Sequence, residues 1–170
     1  MPGTPRALAQ TALRGFNAKF GPTCHDAVLE WLEAAEYVPD DTHVRLFAGV
    51  IGSRPNVYSE VLVKSSDPRI MTIAGFNQLP MGTIIGFYKD GGLMHSLLVA
   101  DRTILVGANN AGVWDPTAAN FPKVNDNLHA IFLTNQLLWN AEDSTCGRSR
   151  YKAHFQAPPE IARRINARLA

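Results

Sequence analysis

Three residue types in this chain could together break an amide bond: a thiol, an imidazole and a side-chain carbonyl. Cys24 follows Gly21-Pro22-Thr23 at the first position of a predicted helix. Thr23 can cap that helix, and Asp26 three residues on completes a capping-box-like pair. The open N–H groups and the dipole of a first helical turn favour negative charge, which lowers a thiol pKa. The same amides can hold the oxyanion formed when a thiolate attacks a carbonyl. His95 lies near the start of a predicted strand, after a glycine turn, and an imidazole is the base a thiol needs. The next strand delivers Asn109, with Asn110 beside it. A side-chain carbonyl there could accept from the far ring nitrogen of His95 and fix its tautomer. Asp115 is another candidate for that role.

Each of these residues also has a plainer role. Cys24 can be a small buried filler. His95 can be a hydrogen-bonded histidine on a strand face. Asn109 and Asn110 suit the turn Gly107-Ala-Asn-Asn-Ala-Gly112, and Asp115-Pro116 is ordinary turn chemistry.

The remaining chemistry-bearing residues give less. His25 follows Cys24 directly, so on a helix it points about 100° away and is poorly placed as a base. It is expected to line the cleft or to be exposed. Cys146, with His154 eight residues on, is an alternative nucleophile, but no helix start follows it. No Cys/His spacing suits zinc, and no phosphate loop or dinucleotide fingerprint is present, so no metal or cofactor is expected. Trp31 and Trp139 suit a core, while Trp114 sits in a polar loop suited to lining a cleft. Asn17, or Asn77 with Gln78, could supply an oxyanion donor, and nothing selects between them.

The elements that must position these groups fall in three parts. The first is helical. Thr4-Pro5 starts a helix through Ala7, Leu8, Leu13 and Phe16 that stops near Gly21-Pro22. The Cys24 helix buries Val28, Leu29, Trp31 and Leu32 and ends at Val38-Pro39. A short third helix after Asp40-Asp41-Thr42 puts Val44, Leu46, Phe47 and Val50 inside. The middle part is an antiparallel meander: strands over 83–88, 94–100 and 103–106, joined by Lys89-Asp90-Gly91-Gly92 and Asp101-Arg102. Ala130 to Leu138 fits a strand or a helix equally. The last part is basic, with six Arg and Lys against Glu160 from Gly147 onward, and closes with a helix over 159–169. That basic end reads as a solvated face or as a dock for an acidic partner. Helices first and an antiparallel sheet after them make an α+β protein.

Composition narrows the function classes. The 170 residues fit one domain, residues 1–170, with 46% hydrophobic and 18% charged residues, which excludes disordered and fibrous chains. A net charge of +1 gives no bulk field for nucleic acid or an anionic membrane. Two cysteines are too few for a disulfide scaffold, and no apolar run reaches membrane-spanning length. The expected setting is cytoplasmic, or secreted by a route that needs no cleaved signal.

The stretch Leu79-Pro-Met-Gly-Thr-Ile-Ile-Gly-Phe-Tyr, a glycine turn and then Met94-His-Ser-Leu-Leu-Val-Ala resembles the core of NlpC/P60-type cysteine hydrolases, members of the papain-like superfamily. The resemblance covers about residues 20 to 112. It implies a papain-like domain with Cys24 as nucleophile, His95 as base and a third polar residue at or near Asn109. Two features depart from the family: Thr23-Cys24-His25-Asp26 lacks its usual flanking of the cysteine, and Leu97 stands where a small residue follows the histidine. A cell-wall peptide substrate is therefore not expected. Three functions follow. One is a peptidase or amidase acting on a protein or peptide through a thioacyl intermediate. Another is a Gln/Asn deamidase or acyl-transfer effector toxin using the same site. The last is an inactive papain-like binding module with a structural Cys24.

Overall fold

Thr4 opens the first helix: its hydroxyl accepts from the Ala7 N–H at 3.1 Å, and Pro5 occupies the first helical position, where a missing N–H is harmless. This helix, α1 (Pro5–Leu13), stops earlier than the sequence pattern suggests, at Arg14 before Gly15, whose φ is +98°. Leu13 is consequently 47% exposed rather than internal. Helix α2 (Cys24–Ala34) carries the full capping box, with the Asp26 N–H on the Thr23 hydroxyl and the Thr23 N–H on the Asp26 carboxylate, both at 3.1 Å. It is buried on almost every side, as a helix in the middle of a layer must be. Helix α3 (Thr42–Phe47) buries Leu46 but turns Val44 out, 61% exposed, against expectation. Helix α4 (Arg54–Val61) has no clear apolar stripe in sequence and was not expected.

The computed structural model describes residues 3–15, 17, 23–49, 54–64, 78–101, 104–108, 123–125, 128–132 and 151–170. Phe16, Gly21, Pro22, Val50, Asn77, Asn109, Asn110, Trp114, Asp115, Trp139 and Cys146 lie outside them.

The strands are β1 (Ile84–Lys89), β2 (Gly92–Asp101), β3 (Ile104–Ala108), β4 (Lys123–Asn125), β5 (Leu128–Phe132) and β6 (Tyr151–Gln156). They form one antiparallel sheet in the order β4-β5-β3-β2-β1-β6. The expected meander is its centre, β1-β2-β3. Strand β5 answers the ambiguous run as far as Phe132. Strand β6 has no counterpart among the elements expected from sequence; it returns from far along the chain to flank β1. The closing helix, α5 (Pro158–Leu169), follows it directly and buries Ile161 and Ile165. The protein is α+β.

Helices α1, α2 and α4 all lie against β2, so the helical layer covers one face of the sheet. Ile84, Tyr88, Leu93, Leu98, Ala100, Val106 and Ala108 join the helices in one core. Ile85, Phe87, Leu97, Val99 and Leu105 are buried too but stand outside that core, as alternation along a strand requires. The β1–β2 pairing carries a β-bulge: Phe87 opposes His95 while Tyr88 opposes Leu93, leaving Met94 as the extra residue.

Candidate active site

Cys24 is the first residue of α2, as its sequence position predicts, and its sulfur lies against Ser96, midway along β2. The imidazole in contact with that sulfur is His25: Sγ to Nδ1 is 3.6 Å. The 100° step between adjacent helical residues does not separate them, because both side chains turn toward β2 and the ring reaches back. The same Nδ1 lies 2.8 Å from the Ser96 Oγ, and the Leu93 backbone carbonyl accepts from the ring. His25 is therefore buried and held, neither exposed nor lining open space.

His95 does not join them. Ser96 points to α2, so its neighbour His95 points to the other face of β2. Its Nε2 lies 3.5 Å from where a Cβ on Gly107 of β3 would sit, beside Leu97 on the face away from the helices. The expected Cys24–His95 pair is separated by the sheet itself. Asn109, the expected third member, lies outside the described residues. Asn17 is exposed, and its backbone N–H donates to the Glu30 carboxylate at 2.8 Å, six residues along α2 from Cys24.

In this closed form the electrostatics run against an activated thiol. Cys24 is 0% exposed, and burial pushes its pKa up to about 12. The N–H groups of Ser96, His25 and Cys24 itself pull the other way, as a helix start should, but they are outweighed. Burial acts on His25 in the opposite sense and lowers it to about 4, against the raising effects of the Asp26 charge and the Leu93 carbonyl. At neutral pH the proton therefore stays on sulfur and the ring is neutral.

A second polar cluster, missed in the sequence, holds the same helix end. One Asp26 oxygen takes the Thr23 hydroxyl at 2.6 Å; the other takes His43 Nε2–H at 3.2 Å and the Tyr58 hydroxyl. Burial alone would raise this carboxyl, but hydrogen bonds from His43, Thr23 and Tyr58 hold it well below the usual range. Tyr58 is raised by burial and by that carboxylate. The His43 N–H donates to Glu33 at 2.6 Å, and the Arg54 guanidinium lies over the Phe47 ring at 4.7 Å. Only the Thr23–Asp26 part had a sequence signal, the capping box. Among the described residues, no group of His, Cys, Asp and Glu could hold a metal ion. Among the described residues, no helix is long and apolar enough to cross a membrane. Compared with known proteins, the chain matches no family model, no curated protein and no solved structure.

Proposed function

We propose that this chain is a cysteine-nucleophile hydrolase of amide bonds, with Cys24 attacking and His25, in place of His95, as its base, here in a form closed to substrate. The observation that carries this is the 3.6 Å contact between Sγ and Nδ1 at the start of a capped helix. A cysteine-bearing helix start docked on an antiparallel sheet is also what the NlpC/P60 resemblance implies, although that family's own pairing would use His95. Burial is the largest cause of both pKa shifts. Opening the site to water or a polar substrate thus lowers the thiol and raises the imidazole together. The Sγ proton then passes to Nδ1, the thiolate bonds to the carbonyl carbon, and first-turn amides hold the oxyanion. His25 returns the proton to the leaving amine, and water releases the acyl group. Deamidation and acyl transfer use the same steps with another target or acceptor.

The complete burial of the sulfur favours a second reading: a binding module in which Cys24 is structural. Labelling with a peptidyl acyloxymethyl ketone, mapped by mass spectrometry, separates them. The hydrolase reading expects Cys24 to be modified in the folded chain, with labelling lost in His25→Ala and kept in His95→Ala. The opposite pattern would restore the Cys24–His95 pairing. Modification only after unfolding in guanidinium would leave the structural thiol.

A further inference from the structure

Helices α4 and α5 enclose a groove of about 550 Å³ on the surface. Glu60 and Lys64 line one wall, and Glu160, Arg163, Arg164 and Arg168 the other. Four cations thus face two carboxylates. Both carboxylates are already seated. Glu160 accepts from Arg163 through Nε at 2.8 Å and Nη2 at 2.7 Å, and from Arg164 Nε at 3.0 Å. Glu60 accepts from Arg168. The hydrogen bonds from Arg163 hold the Glu160 carboxyl down to about 2, so it stays ionised.

Arg163 and Arg168 each carry further N–H groups beyond those bonds, and a surplus of two positive charges remains in the groove. The surplus belongs to a wider asymmetry. From Gly147 to Ala170 six Arg and Lys accompany one acid, whereas the rest of the chain holds ten against fourteen. A phosphate-bearing polymer supplies continuous negative charge and would be repelled where Glu60 and Glu160 stand. A protein segment with spaced acids avoids them and pairs with the cations between. We propose that the α4–α5 groove is a docking site for an acidic segment of a protein partner. This does not depend on the role of Cys24.

The test is fluorescence anisotropy of a labelled Glu-rich helical peptide at low ionic strength. Saturable binding is expected, weakened about tenfold or more in Lys64→Glu/Arg163→Glu and weakened by added salt. Arg163 is 68% exposed in its side chain, and a thermal melt of the double variant confirms that it folds. Equal binding of the same peptide with Gln for Glu would overturn the proposal, as would no saturation or no effect of the double variant. Tighter binding of polyphosphate or single-stranded DNA through the same residues would also overturn it, because the groove would then be reading phosphate.

Discussion

Asp26 is a buried carboxylate with donors on both oxygens, and its neighbours depend on it as much as it depends on them. Asp26→Ala removes the carboxylate half of the capping box, the acceptor of the Thr23 N–H, and leaves the His43 and Tyr58 donors facing a void. The expected loss is about 3–5 kcal/mol. Tyr58→Phe removes a single donor and should cost less, about 1.5–3 kcal/mol. Urea unfolding at pH 7 checks the order and the sizes. At this scale the sequence was legible where interactions are local. The cap needs only residues three apart, so Thr23, Cys24 and Asp26 could be placed without a fold. The state of the thiol could not, because burial in a core shared with α1, α4 and β2 outweighs the helix-start amides. His43 and Tyr58 reach Asp26 only through tertiary packing, and nothing in their own stretches announces it.

Strand β2 shows why a correct element can still misplace a side chain. Its turn and its partners follow from β-formers and glycine, and the meander forms as expected, although the strand runs over Gly92–Asp101 rather than 94–100. Both faces of β2 are buried, however, so its apolar pattern does not say which face meets the helices. The residue that decides is Ser96, hydrogen-bonded to His25, and its neighbour His95 then has no choice. On β1, Gly86 opposes Ser96 on one side and His154 of β6 on the other. An added Cβ there would lie 2.9 Å from both the Val63 Cβ and the Leu93 Cδ1. Gly86→Ala should therefore cost about 1–3 kcal/mol by overpacking, read as a lowered midpoint in thermal unfolding. Val63 is β-branched and its Cβ cannot swing aside.

For the whole molecule, the shifted groups define a pH window. His25 binds its proton less readily folded, at about 4, than unfolded, at 6.5. Acid therefore favours the unfolded chain, and about 3 kcal/mol is lost as pH falls from 6.5 to 4. The lowered Asp26 carboxyl adds to the loss further down. Cys24 holds its proton more tightly folded, at about 12 against 9.0, so about 4 kcal/mol is lost as pH rises through that interval. Denaturant midpoints should be level between about pH 6.5 and 9 and fall on both sides, with a shallower alkaline fall in Cys24→Ala. The sheet order has a separate consequence for biosynthesis. On a ribosome, β1 and β2 can close their hairpin early, but the outer edge of β1 waits for β6, the last made of the six described strands. Until then the nascent chain displays an unsatisfied row of amides and carbonyls, able to recruit a neighbouring copy.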